Sequence, residues 1–354
     1  MQKLLRRRGF FVMSCSGLAA MLTACASLGG SSGRLELVQQ RGELNCGVSG
    51  RIPGFSFLGG DGSYAGIDVD ICKAVAAAVV GDGDKVAFRT LTAPERFTAL
   101  RSGEIDLLSR NTTLNLSRDA SGGNGVSFAP VVFYDGQGLM VKANSGVRNL
   151  EDLGGATICV GSGTTTEQNL NEGFQALGLG YTPLKFQEVS QVSAGYLQGR
   201  CAAMTSDRSQ LAALRSGYSS PDDHRILDVV MSKEPLAPAT IGGDPSMADA
   251  VRWTVYALIA AEELGITQAN VEQRRDQAAA DQDQASLRRF LGVDGGLGSK
   301  LGLNDDFVVQ AVKAVGNYGE IYDRHLGPES KVPIPRGQND LHGRGGLHYA
   351  PPFN

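Results

Sequence analysis

Ala99-Leu100-Arg101-Ser102-Gly103-Glu104-Ile105-Asp106-Leu107 and, further along, Tyr196-Leu197-Gln198-Gly199-Arg200-Cys201-Ala202-Ala203 share one pattern: a helix end, a polar corner with Gly, and an apolar strand. Upstream of the first copy, residues 44–48 read as a strand ending in the loop Ser49-Gly50-Arg51. Residues 68–80 read as a helix with Ile71, Val75, Ala78 and Val79 on one face, stopped by Gly81. A strand at 85–89 follows, then a helix opened by Pro94 that carries Phe97 and Leu100 on one face, then a strand at 105–108. This βαβαβ order implies a mostly parallel sheet with right-handed crossovers. It returns as strand 157–160, helix 166–177, strand 184–186, short helix 193–197, strand 201–204 and helix 210–215. We read this as architectural repetition rather than a tandem repeat.

Two such units need connections. Phe133-Tyr134-Asp135-Gly136-Gln137-Gly138 is read as crossing from the first to the second, and Leu236-Ala237-Pro238-Ala239-Thr240 as crossing back. Two crossings permit hinge closure over a ligand. The expected division is 41–133 with 241–354 for lobe 1, 139–236 for lobe 2, and 134–138 with 237–240 for the hinge. Downstream, 248–264 and 305–322 are expected as helices flanking a Gln/Asp/Ala-rich stretch at 268–291. The Pro/Gly-rich end has too little periodicity to be placed.

The chain opens with Lys3, Arg6, Arg7 and Arg8 and runs apolar from Phe10 through Leu22, broken only by small residues. A basic head with a short apolar core reads as a secretory signal over residues 1–24 and is too short for a membrane span. It ends in Leu22-Thr23-Ala24-Cys25, which resembles a bacterial lipobox. That resemblance implies lipid attachment at Cys25; the alternative is ordinary cleavage after a nearby small residue, giving an unanchored protein. The Gly/Ser-rich run from Ala26 to Gly33 suits a flexible tether, expected over 25–40. No other apolar run is long enough to span, so membrane contact is expected through a lipid anchor alone.

Removing the four basic residues of the head takes the formal charge from −4 to −8. An acidic product argues against nucleic-acid binding, whose footprint is a clustered basic face. Four cysteines lie outside the export segment: Cys46, Cys72, Cys159 and Cys201. Their spacing has no CxxC character, so two disulfides outside the cytoplasm are expected rather than zinc. Sequence alone leaves three pairings. The lobe assignment favours Cys46–Cys72 and Cys159–Cys201, the latter because first and third strands of such a sheet are neighbours.

In open parallel sheets ligands sit beyond the carboxyl ends of the strands. Those ends here carry Ser49-Gly50-Arg51, Asn111-Thr112-Thr113, Ser162-Gly163-Thr164-Thr165 and Thr205-Ser206-Asp207. A zwitterion would need a guanidinium for its carboxylate, an anion for its ammonium, and backbone N–H donors at a helix start. Arg118, Asp207 and the Gly163-Thr164-Thr165 turn supply these residue types. Singly, each also has an ordinary reading: a surface ion pair, a helix N-cap, a strand–helix connection.

Gly66-Ile67-Asp68-Val69-Asp70 before an Ala-rich helix, Arg96-Phe97-Thr98-Ala99-Leu100, and Gly163-Thr164-Thr165-Thr166-Glu167 resemble the polar amino-acid solute-binding family (family 3) of ABC importers. Ser109-Arg110-Asn111-Thr112-Thr113 and Ser232-Lys233-Glu234-Pro235-Leu236 are similar to its general L-amino-acid-binding subgroup. The resemblance implies a type II periplasmic-binding-protein-like α/β fold of two lobes with two hinge crossings. It implies an extracytoplasmic monomer that delivers a free L-amino acid to membrane permease subunits. By position, the carboxylate-binding Arg falls on Arg118 and the strand-end hydroxyl on Thr113. The Thr of the Gly-Thr turn falls on Thr164, beside Gly163 and Thr165. The ammonium-binding Asp falls on Asp207, next to Ser206, and the carbonyl that also contacts the ammonium on Asn111. Narrow-specificity relatives often carry an aromatic residue near the first loop. Arg51-Ile52 stands there instead, with Ala93-Pro94-Glu95 at the second covering position, which suggests a broad, polar range.

Catalytic signatures are missing from the sequence: there is no GxSxG elbow, HExxH pair or P-loop lysine, and Ser162-Gly163-Thr164 lacks the GK[ST] ending. His224, His325, His342 and His348 all lie away from the strand-end loops, and no metal or cofactor is expected. An enzymatic alternative on the same fold is a periplasmic dehydratase of cyclic carboxylic acids, with Glu95 and Glu167 as candidate acids or bases. Each of these also reads as a helix N-terminal charge. A ligand-sensing protein would share the same site.

Overall fold

The computed structural model describes residues 33–354; the export segment, Cys25 and the start of the tether lie outside the described residues. Two five-stranded sheets organise the chain. In the first, Val86–Thr90, Leu44–Val48 and Leu107–Leu108 run parallel, and Ala239–Ile241 and Val126–Phe128 complete the edge. In the second, the parallel trio is Thr182–Phe186, Thr157–Gly161 and Ala203–Asp207, followed by Gln137–Lys142 and His224–Ile226. The sheets are mixed because each crossing segment enters its new sheet beside the third strand and runs against it: Ala239 opposes Leu108, and Gln137 opposes Asp207. Between the sheets, Phe133–Asp135 pairs antiparallel with Glu234–Leu236, a two-stranded ribbon at the start of one crossing and just before the other.

The helix Ile67–Val80 is buried on almost every side, not on one stripe. Its Ala-rich surface allows close approach, and the later helices Pro245–Glu263 and Phe307–Val315 cover it. A helix apolar all round is an interior helix. Cys46 of the central strand is bonded to Cys72 of this helix, and Cys159 to Cys201 in the second sheet. Both pairings are the expected ones, and strand 157–161 does lie beside 203–207.

Two expectations need correction, and the stretch 268–291 gains a structure. The tether does not reach residue 40: Arg34–Arg41 is a helix whose Leu35 and Val38 enter the first core, an apolar pair at i and i+3 within a polar segment. The helix expected over 305–322 is two, Phe307–Val315 and Tyr318–Leu326. Gly316 stands between them at φ +85°, where a Cβ would lie 2.8 Å from Glu320 Oε2. Asn317 then caps the new helix reciprocally with Glu320. The stretch 268–291 likewise resolves into Val271–Ala280 and Ala285–Phe290.

The unplaced tail packs against the hinge. Arg336 donates to both carboxylate oxygens of Glu262 at 3.0 and 3.1 Å and stacks over Tyr318 and Tyr322. The Asn339 amide accepts from the Tyr134 N–H at 2.6 Å and donates to the Tyr134 carbonyl at 3.1 Å, bracing one ribbon strand.

Candidate functional site

The carboxyl ends of both parallel trios open onto one cleft that encloses roughly 590 Å³ of non-protein space, its solvent-filled mouth included. Arg96, Arg110, Asn111 and Thr113 wall it from one side; Thr164, Thr165, Ser206 and Asp207 wall it from the other. Gln187 and Gln210 add amides, and no aromatic side chain lines it among the described residues.

The first wall is held from behind. Residues 112–114 pair with the returning hinge segment, Leu114 N–H donating to Pro235 O at 2.8 Å and Ala237 N–H to Thr112 O at 3.0 Å. Asp68 at the start of the buried helix accepts from Ser109 Oγ and from the Asn111 N–H, each at 3.3 Å. Asn111 adopts φ +36°, the sole left-handed non-glycine among the described residues. Such strain persists where the surroundings over-determine it, which is common at ligand sites. Both polar atoms of its side chain are buried without a partner.

Arg118 stands one layer behind the cleft wall, on the short helix Leu116–Asp119 that Asn115 caps. Its Nη1 donates to the Thr113 carbonyl at 2.9 Å and its guanidinium lies 5.4 Å from the Phe97 ring centre. Arg96 flanks the same ring at 5.2 Å, with its Nε buried and unpartnered.

On the opposite wall, Gly163 turns at φ +69°, and a Cβ there would touch Pro94 at 3.6 Å, so the two lobes meet at this turn. Thr164 caps the helix Thr165–Ala176 by accepting from the Glu167 N–H at 3.1 Å, and Glu167 accepts from the Gly163 N–H at 2.8 Å. Glu167 also pairs with Lys185, and Glu95 accepts from the Thr92 N–H and hydroxyl. Both carboxylates suggested as an acid or base are thus engaged in capping and turn contacts.

The electrostatics are unusual. Arg96, Arg110 and Arg118 are all buried, and among the described residues none is in an ion pair. Burial, then mutual repulsion, holds the Arg96 guanidinium well below its ordinary range. Burial lowers Arg110 to about 10, and lowers Arg118 against the pull of Glu234 and Asp207. Asp207 caps nothing, and burial followed by the fields of Asp135 and Glu234 raises its carboxyl well above the usual range. A buried cationic group without an ion pair therefore lies across the cleft from a carboxyl group that accepts no hydrogen bond among the described residues, an arrangement that a ligand carrying both charges would complete.

Residues 44–328 match the model of the bacterial extracellular solute-binding proteins, family 3. The chain belongs to that family. This family 3 protein is 46% identical over 339 residues to the general L-amino acid-binding periplasmic protein of Rhizobium johnstonii, spanning 95% of the chain and 97% of that relative. It is 44% identical over 336 residues to the glutamate/glutamine/aspartate/asparagine-binding protein of Rhodobacter capsulatus, spanning 95% and 96%. A periplasmic binding protein of Brucella ovis solved with glutathione bound superposes with a TM-score of 0.86 at 44% identity, over 91% of this chain and 100% of that one. The two-lobe fold and the family expected from the motifs are therefore those the chain has.

Of the expected site residues, Asn111, Thr113, Thr164, Thr165, Ser206 and Asp207 line the cleft of this family 3 protein. Gly163, in the turn before Thr164, and Arg118, behind Thr113, do not line it. Arg51 is outside: it is exposed on the strand Arg51–Ile52 paired with Ser56–Leu58, since its neighbour Ile52 takes the buried face. Sequence reasoning passed over Arg96, Arg110 and Glu234. Arg96 carried a signal, because a cation in the first turn of a helix opposes the helix dipole unless another partner holds it there. Glu234, between Lys233 and Pro235, carried none.

Proposed function

We propose that the protein captures a free L-amino acid between its two lobes outside the cytoplasm and delivers it to the permease subunits of an ABC importer, with polar and acidic side chains in its range. The observation that carries this reading is the buried pair Arg96 and Arg110 lining the cleft opposite Asp207, with Arg118 behind the same wall and none of the three in an ion pair among the described residues. Arg118, the Thr165 helix start and Asp207 have the chemistry for the α-carboxylate and ammonium. Arg96 and Arg110 are left for a side-chain carboxylate or amide, with Asn111, Gln187 and Gln210 as uncharged partners. The names of the Rhizobium and Rhodobacter relatives support amino acids of this kind. A wall without aromatic rings supports breadth. Glutathione, bound to the Brucella protein, presents an α-ammonium and α-carboxylate at its γ-glutamyl end and belongs in the test panel.

The role is binding without turnover, since Glu95 and Glu167 are spent on local contacts. The mature protein acts as a monomer, tethered through a lipid on Cys25. Calorimetric titration of the mature protein with the common L-amino acids should give tight binding to several, glutamate and glutamine included. Failure of all of them, or turnover of a prephenate-like acid in their place, would overturn the reading. A fatty-acid label that is incorporated into the wild type and lost in Cys25→Ser tests the anchor.

A further inference from the structure

Glu234 lies outside the cleft wall and is 1% exposed, yet the cleft's two central hydroxyls point back to it. Its Oε2 accepts from Thr113 Oγ1 at 2.5 Å and from Thr165 Oγ1 at 2.9 Å. Its Oε1 accepts from Asn169 Nδ2 at 2.9 Å and from Ser232 Oγ at 2.6 Å. Thr113 continues the strand end of the first sheet; Thr165 and Asn169 sit on the helix Thr165–Ala176 of the second; Glu234 itself belongs to the hinge ribbon. The two threonine hydroxyls are 3.3 Å apart and both face the cleft.

A hydroxyl has one proton and two lone pairs. With its proton committed to the carboxylate, each hydroxyl can present only lone pairs to the cleft. A lone pair suits an ammonium and disfavours any group that must accept there. We infer that Glu234 is a positioning residue: it fixes the Thr113 hydroxyl as an acceptor for the ligand's ammonium, and through Thr165 it ties that choice to the closed arrangement of the two lobes. The inference rests on the amino-acid-binding reading. It extends that reading by placing part of the discrimination of amine over hydroxyl, beside that of Asp207, in a buried carboxylate that never touches the ligand. In Glu234→Gln, Oε1 keeps Asn169 and Ser232, while the new N–H group donates to the two threonines. Their protons are then freed, so each hydroxyl can turn a donor as well as its remaining lone pair toward the cleft and is no longer fixed as an acceptor for the ammonium.

The test uses the mature protein and two probes that differ at one group, L-glutamate and L-2-hydroxyglutarate, titrated by calorimetry into wild type, Glu234→Gln and Thr113→Val. Wild type should prefer glutamate. Glu234→Gln should lose about 10- to 100-fold in glutamate affinity, the scale of one hydrogen bond to a charged group. It should lose less for the hydroxy acid, so the preference narrows by about that factor. Thr113→Val should lower the preference similarly, and the double variant should add little beyond either one. Equal weakening of both probes in folded Glu234→Gln, as a merely structural role would give, overturns the inference while leaving amino-acid binding in place. An unchanged preference in Thr113→Val overturns it too, even if the glutamine variant does not fold. A wild type that binds no glutamate sinks the inference together with the acidic range on which it rests.

Discussion

At the residue scale, the site is a set of charges that the protein alone leaves uncompensated. Arg118 illustrates the consequence: its burial disfavours the charged guanidinium, and on the proposed reading a ligand carboxylate offsets that cost. Arg118→Ala should weaken amino-acid binding by about 2–5 kcal/mol, as expected when a buried charge pair loses one member. The thermal midpoint of the empty protein should move far less, since the lost contacts are a single bond to the Thr113 carbonyl and a stack on Phe97. Paired calorimetry and thermal melts would check this. Asp207 adds a pH signature. Its carboxyl is raised in the empty cleft, so lowering the pH protonates it and removes the ammonium's anion. Affinity should therefore fall as the pH falls, and binding should release protons. Titrations in two buffers of different ionisation enthalpy would reveal that release, and the opposite sign would mean that the ammonium does not sit on Asp207.

At the scale of elements, the site depends on strand ends fixed by strand neighbours. The Cys159–Cys201 bond links strand Thr157–Gly161 to the approach of strand Ala203–Asp207, whose last residue is the site carboxylate. The bond closes 42 residues of chain, which by loop entropy corresponds to a stabilisation of about 2–4 kcal/mol. Replacing both cysteines by Ala should lower the urea-unfolding free energy by about that amount. Ligand affinity should change little, because neither sulfur reaches the cleft. The break at Gly316–Asn317 works at the same scale: it turns Tyr318–Leu326 so that Tyr318 and Tyr322 receive Arg336 from the tail.

Across the whole molecule, the tail couples the first lobe to the hinge. His348 is buried against Tyr318 and Tyr134, within the fields of Arg336 and Asp340, and burial lowers it to about 4. A folded value below the unfolded one means that its contribution is complete above about pH 6.5. It is lost progressively as the pH falls toward 4. The carboxyls of Asp68 and Asp135, raised by burial to about 6, act in the opposite sense and gain in the acid range. Comparing His348→Phe with wild type isolates the histidine. The variant's stability relative to wild type should rise by on the order of 2 kcal/mol between pH 7 and pH 5, measured by urea unfolding. A flat difference would mean that the imidazole is not held neutral.

The βαβαβ order, its repetition and the two crossings were legible because hydrophobic period, Gly stops and corner residues are local properties of the chain. That Thr113, Thr164 and Asp207 line one cleft was legible for a related reason: the carboxyl ends of parallel strands share one edge of the sheet. What sequence could not supply depends on which segments meet. The near-complete burial of helix Ile67–Val80 is decided by helices far along the chain, and the place of the tail by the ribbon strand that Asn339 braces at Tyr134. Arg51 read as a site residue from its loop, but the pairing of its strand turned it outward. Glu234 shows the limit most clearly. Nothing in its neighbours Lys233 and Pro235 distinguishes it, because its four hydrogen-bond donors come from three separate segments that only the tertiary structure brings together.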